Sequence, residues 1–250
     1  MKIIVQNLAT EYQDEGTGTV VLFLHGWQDN LHTFDSLIPL FSSDFRLIRL
    51  DLPGFGESEM PKETWDLEKY VRFVESFIEK LDVKVYAFVG HSFGGRIIIK
   101  GVSMQKLHAD KIILINSAGV TKRNTTRNML LKVLAKIGKI ITYIPPLIFW
   151  RDTLRKKMYR FIGSDYLNAG TLKKTFLKMI SENLSESAQK ITIPTLLIWG
   201  ENDTETPLSD GKQLSQLIHH STLEVIRGAG HFVHKEKSRE VATLVQEFLC

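Results

Sequence analysis

The stretch from Val85 to Ile99, centred on Gly90-His91-Ser92-Phe93-Gly94-Gly95, restricts the fold more than any other part of the chain. Residues 85–89 are mostly apolar and read as a buried strand, and Arg96 to Gln105 reads as a helix. A serine between strand and helix needs a sharp, strained turn that lifts its hydroxyl clear of the sheet. Gly90 and Gly94 suit such a turn, where strand and helix meet with no room for a Cβ. The free N–H groups of the helix start face the turn and favour a developing negative charge. Ser92 is therefore the candidate nucleophile.

Strand-like and helix-like segments alternate around this stretch. Residues 2–6 and 9–13 look like two short strands, and residues 20–24 are a fully apolar strand suited to the centre of a parallel sheet. Residues 33–41 suggest a short helix, with Pro39 near its end. Residues 45–50 and 112–115 read as strands. Leu67, Tyr70, Val71, Val74, Phe77, Ile78 and Leu81 recur at helical spacing. After Pro194 come a strand at 195–199, a helix around 209–219, a strand at 222–226 and a last helix over 238–249. This order predicts a mostly parallel sheet with helices on both faces and its chemistry at the carboxyl ends of the strands.

A serine hydroxyl needs a base, and the base needs a group that fixes its tautomer. Of the eight histidines, His231 stands apart, because Gly228 and Gly230 bracket a loop between the last strand and the last helix. His234 is the reserve. The acid is expected on a loop between Ser92 and His231, where Glu201, Asp203 and Glu205 follow one strand. Donors for an oxyanion are expected from the backbone N–H of Phe93 and from the loop after residues 20–24, at Trp27. The Trp27 side chain would line the pocket, and His25 beside it is counted with the pocket residues.

Residues 120–190 hold 15 Lys and Arg against 4 Asp and Glu, a balance of +11; the other residues hold 17 against 24, or −7. A basic middle between acidic flanks points to an insertion. Within it, Ile140 to Trp150 is uncharged and is broken by Pro145-Pro146. Tyr143, Leu147 and Trp150 are candidates to roof the pocket over Ser92. The surrounding lysines and arginines predict peripheral contact with an anionic membrane or an acidic acyl carrier. Nucleic acid is a weaker expectation, since no binding motif is present. The only cysteine is Cys250, which excludes a disulfide framework or cysteine metal site. No apolar run reaches the roughly 18 residues of a spanning helix, and Met1 to Thr10 lacks a secretory h-region. The expectation is a cytoplasmic protein that needs no metal or organic cofactor.

Five segments together resemble the α/β-hydrolase superfamily: His25-Gly26-Trp27, Asp51-Leu52-Pro53-Gly54-Phe55-Gly56-Glu57-Ser58, Gly90-His91-Ser92-Phe93-Gly94-Gly95, Gly200-Glu201-Asn202-Asp203 and Gly228-Ala229-Gly230-His231-Phe232. The stretch from His25 to Asn30, with Phe34 and Leu37 to Leu40, is similar to the serine hydrolase-like branch. The resemblance implies an eight-stranded sheet with only the second strand antiparallel. It places a core domain at 1–119 and 191–250 and a helical cap at 120–190. It also favours Asp203 as the acid, with Glu201 and Glu205 facing solvent. Some related enzymes carry the acid after the strand that follows the nucleophile helix, where this chain has the uncharged Asn116. Haloalkane dehalogenases and epoxide hydrolases of this fold use an aspartate where Ser92 stands. A proline iminopeptidase would show His-Gly-Gly-Pro-Gly at 25–29, which this chain lacks. The expected activity is hydrolysis of an ester or thioester with an apolar part, as in serine carboxylesterases and lipases. Carbon–carbon bond hydrolysis, acyl transfer and a slow-turnover receptor for a small molecule remain as alternatives.

Overall fold

The computed structural model describes residues 1–41, 44–120 and 172–250. Eight strands form one sheet in the order β1-β2-β4-β3-β5-β6-β7-β8. They are β1 (Lys2–Val5), β2 (Leu8–Gly16), β3 (Thr19–Leu24), β4 (Phe45–Leu50), β5 (Val85–His91), β6 (Lys111–Ile115), β7 (Thr195–Gly200) and β8 (Ser221–Ile226). β2 runs antiparallel to both β1 and β4, and every other pairing is parallel. Gln6 and Asn7, both at positive φ (48° and 63°), close the β1–β2 hairpin, as a type I′ turn requires.

The central strands are apolar on both faces, and their alternate residues feed two separate cores. Leu22, Leu24, Phe88, Ile112 and Leu114 point to one side. There they meet α1 (Leu67–Leu81) and α2 (Phe93–Ser103), with α4 (Ser185–Gln189) and α5 (Leu208–Leu217) beyond. Val21, Phe23, Val89, Ile113 and Ile198 point to the other side, under α7 (Ser238–Leu249). α1 starts where the Asp66 carboxylate accepts the Lys69 N–H at 3.1 Å, and it ends at Asp82 in the left-handed conformation.

Three segments differ from the sequence expectation. In place of one helix at 33–41 there are two 3-10 turns, Leu31–Phe34 and Ile38–Leu40. Asn30 caps the first, accepting from His32 N at 3.0 Å, and Pro39 leaves no room for continuation. α2 begins at Phe93 rather than Arg96, because Ser92 itself is the residue before the first helical turn. A short α6 (Val233–Glu236) precedes α7, where the sequence suggested only the last helix; in the basic stretch before β7 the expected helices are α3 (Lys173–Ser181) and α4.

Most of the expected insertion lies outside the described residues, and its last part is bound tightly to the core. The buried Arg96 guanidinium, on the first turn of α2, donates through Nη2 to Met179 O and to Glu182 O, the latter at 2.6 Å. Lys100, one turn on, holds the Glu182 carboxylate at 2.7 Å. Cations thus meet the C-terminal carbonyls of α3, where the helix dipole favours them. Burial pushes the Arg96 guanidinium down to about 10, although Glu182 opposes the shift.

α2 can approach the sheet this closely because Gly94 has no side chain. A Cβ there would lie 2.0 Å from the Leu24 carbonyl oxygen. In an ordinary helix Gly→Ala stabilises by about 1 kcal/mol. Here the sign should reverse, with Gly94→Ala destabilising by about 1–3 kcal/mol or more through overpacking against backbone. Urea unfolding of wild type and variant measures this; an unchanged or raised midpoint would refute the packing argument.

Candidate active site

Ser92 sits at φ 48° and ψ −105°, a region that a residue with a Cβ rarely adopts. Its main chain is pinned to β6 and the loop beyond. Ser92 N–H donates to Ile115 O at 3.1 Å, and Ser92 O accepts from Ala118 N at 3.1 Å and Arg96 N at 3.3 Å. Phe93 N–H heads α2 among the N–H groups that lack an intrahelical acceptor. The loop after β3 lies directly against the turn. A Cβ on Gly26 would stand 3.5 Å from Ser92 Cβ and 2.9 Å from His91 Nδ1.

Trp27 and Phe93 are brought together, their rings 5.3 Å apart and nearly perpendicular. Phe55 (4.9 Å) and Phe176 of α3 (5.2 Å) complete an aromatic wall around the indole. Phe176 was not singled out in the sequence; its signal was the apolar pair Phe176 and Met179 at helical spacing within a basic stretch.

His25 takes a different place from the one expected. Its ring is fully buried. Nδ1–H donates to Gly26 O at 2.7 Å, and Nε2 accepts from Leu52 N–H at 2.9 Å. With both nitrogens engaged, His25 ties the loop after β3 to the loop after β4 and offers no polar atom to a pocket. Burial pushes its pKa down, against the opposing pull of the Gly26 bond, Asp51 and Asp29. Tyr143, Leu147 and Trp150 lie outside the described residues.

His231 and Asp203 meet at 2.8 Å, Nδ1 to Oδ2, with both residues buried. This bond places the proton on Nδ1 and leaves Nε2 as the free acceptor. The Asp203 carboxylate is held on every side. Oδ1 accepts the N–H of Glu205 at 2.8 Å and of Thr206 at 3.0 Å. Oδ2 faces the Thr206 hydroxyl at 2.7 Å and accepts the Asn116 amide. Burial alone would raise the Asp203 pKa, but the bonds from His231, Asn116 and Thr206 outweigh it and hold the carboxyl below its ordinary value. Asn116 also accepts the Gly200 N–H at 3.2 Å. Neither Asn116 nor Thr206 was identified in the sequence as a partner of the acid.

Among the described residues no hydrogen bond joins Ser92 Oγ to His231 Nε2. That nitrogen instead lies 3.5 Å from Glu205 Oε2, whereas Glu201 turns away to accept Gly228 N–H at 3.1 Å. Glu205 therefore reaches His231 while remaining exposed to solvent, as expected of it.

Two further histidines lie behind His231. His91 Nε2–H donates to His231 O at 3.0 Å, and its ring packs 4.8 Å from His231 and 4.4 Å from His234. His234, the reserve base, is fully buried with Nε2 at 2.9 Å from Thr33 Oγ1. Among the described residues no group of three His, Cys, Asp or Glu converges as a metal site, and no helix is long and apolar enough to cross a membrane.

With this geometry in hand, the comparisons agree on the class of protein. The chain matches the alpha/beta hydrolase family over residues 21–244 and belongs to it. It is 26% identical over 253 residues to the uncharacterized hydrolase YugF of Bacillus subtilis (strain 168), spanning 95% of this chain and 92% of that one. It is 25% identical over 254 residues to a monoacylglycerol lipase, ABHD6 of Homo sapiens, spanning 92% of this chain and 75% of the relative. Among solved structures, the fold is similar to an esterase from Exiguobacterium antarcticum (TM-score 0.76, 21% identity, 99% of this chain and 98% of that one). It is also similar to a meta-cleavage product hydrolase from Pseudomonas fluorescens IP01 (TM-score 0.73, 22% identity, 99% and 96%).

The stacked histidines generate a stability prediction. Burial, followed by the charges of His231, Lys235 and His25, holds the His91 pKa well below its ordinary value, against the opposing bond to His231 O. Burial, His91, Lys235 and His231 do the same for His234, with Asp29 opposing. Below the unfolded-state value of about 6.5 the unfolded chain takes up protons that the folded chain refuses. Their contribution is thus intact above about pH 6.5 and declines as pH falls, by up to about 1.4 kcal/mol per pH unit for each histidine. The urea midpoint should drop between pH 7 and pH 5, and less steeply in His234→Gln; a flat wild-type profile over that range would contradict the assignment.

Proposed function

We propose that the protein is a serine hydrolase that cleaves a carboxylic ester or thioester with an apolar part through an acyl-enzyme. The observation that carries this reading is the strained Ser92 turn, set between the Gly26–Trp27 loop and the His231–Asp203 pair. Ser92 Oγ attacks the substrate carbonyl carbon while its proton passes to His231 Nε2. The Ser92–His231 contact closes in the substrate complex, as such bonds commonly tighten there. The carbonyl oxygen becomes an oxyanion, held by the N–H groups of Phe93 and Trp27. His231 then gives the proton to the departing alkoxide or thiolate. Water, activated by the same imidazole, releases the acid and restores Ser92. Asp203 fixes the tautomer and stabilises the imidazolium without taking its proton.

The aromatic wall of Trp27, Phe55, Phe93 and Phe176 supports an apolar substrate part. The monoacylglycerol lipase among the relatives and the esterase among similar folds point the same way. In this reading residues 120–190 form the cap over the site, and their net +11 favours contact with an anionic membrane surface. Binding to anionic vesicles should exceed binding to neutral ones and fade with added salt; equal binding at low salt would remove that role.

Ser92→Ala should lose a fluorophosphonate label and fall by on the order of 10⁶ in rate on p-nitrophenyl esters. Because the three residues act as one unit, adding His231→Ala to Ser92→Ala should cost little more. Equal labelling of wild type and Ser92→Ala, or full activity in Asp203→Asn, would refute the mechanism.

A further inference from the structure

The Nε2 side of His231 carries a charge that the reaction itself does not use. Glu205 Oε2 lies 3.5 Å from Nε2, and the Glu205 side chain is 56% exposed. Among the described residues it is the one carboxylate within ion-pair distance of that atom. Its place is not a matter of rotamer alone. Glu205 N–H is bound to Asp203 Oδ1 at 2.8 Å, so the acid that orients His231 also fixes the main chain of Glu205. When the proton of His231 is on Nδ1 for Asp203, the carboxylate faces a nitrogen lone pair and neither atom donates. An exposed carboxylate would ordinarily turn to water, and this one stands at the mouth of the site.

We propose that Glu205 is a specificity-determining residue that selects against substrates whose leaving part carries negative charge. The preferred substrate is then an ester or thioester with an uncharged alcohol or thiol part. The inference rests on the hydrolase reading above. In that mechanism Nε2 hands its proton to the leaving atom, which must come within about 3 Å of it. The leaving part therefore passes within several ångströms of the Glu205 carboxylate. A second negative charge there is repelled, and solvent weakens the repulsion without removing it. Lys235, on α6, is engaged elsewhere. Its ammonium lies 3.6 Å from Asp29 Oδ2 and over the Phe232 ring at 4.9 Å.

The test uses two butyrate esters of one shape, of methyl 4-hydroxybenzoate (neutral) and of 4-hydroxybenzoate (anionic). The readout is the ratio of their kcat/KM values, neutral over anionic, taken within each protein preparation. That ratio should fall about three- to tenfold in Glu205→Gln, as removal of one screened charge implies, and further in Glu205→Lys. In wild type it should shrink as salt is raised. A ratio that stays the same in both variants overturns the proposal. If wild type cleaves neither ester and Ser92 takes no fluorophosphonate, the hydrolase reading itself fails and the selectivity with it.

Discussion

One buried carboxylate holds the carboxyl edge of the sheet together. Asp203 collects donors from the end of β6 (Asn116), from its own loop after β7 (Glu205 and Thr206) and from the loop after β8 (His231). Three neighbouring strand ends are thus locked by a single charge. Hydrogen bonds to a charged group contribute about 1.5–3 kcal/mol each in favourable cases, and leaving such a group buried without them costs several. The network therefore cannot lose a member cheaply. It fixes the imidazole of His231 as a by-product of holding the loops.

The other half of the site depends on α2. Its close approach to β3 sets the Phe93 N–H beside the Trp27 loop, and its outer face carries Arg96 and Lys100. These two side chains gather the returning end of α3, which in turn places Phe176 against Trp27. A single helix thus links the turn that presents Ser92, the donors near it and one wall of the apolar surface. Burying a guanidinium is costly, and the cost is met by carbonyl acceptors at a helix C-terminus, which leave its Nε without a partner among the described residues.

The mostly parallel sheet and the candidate His231 could be read from the sequence because each leaves a local trace, whereas the count of eight strands and the choice of Asp203 came with the family resemblance. Buried strands are continuous apolar runs, α1 repeats at helical spacing, and the turns carry glycine where a Cβ would collide. What could not be read lacks such a trace. Asn116 looked like an acid position that had lost its charge, and only the fold shows it donating to the acid. Thr206 lies three residues after Asp203 in a polar loop, where spacing distinguishes nothing. Arg96 has the look of a solvated helix cation until α3 is laid over it. His25, His91 and His234 share one composition signal with His231, and their hydrogen-bond partners in the fold separate them. Glu205 and Glu201 differ by four residues and by which loop lies across from them. In each case the decisive fact is a contact between segments distant in sequence.

These buried features have a common location and a common consequence. Ser92 at positive φ, the neutral histidines behind His231, the Trp27 indole N–H, which has no hydrogen-bond partner among the described residues, and the Arg96 guanidinium all lie at or beside one edge of the sheet. Each costs stability, on the order of 1–3 kcal/mol for strained backbone or an unpaired buried polar group. Strain of this kind persists only where the surroundings over-determine the conformation. Here the two apolar layers clamp the sheet from both faces, so the turn at Ser92 cannot relax without moving β5, β6 and α2 together. The packing of the core on both faces is what allows the edge to remain strained, and Ser92 is presented at that edge.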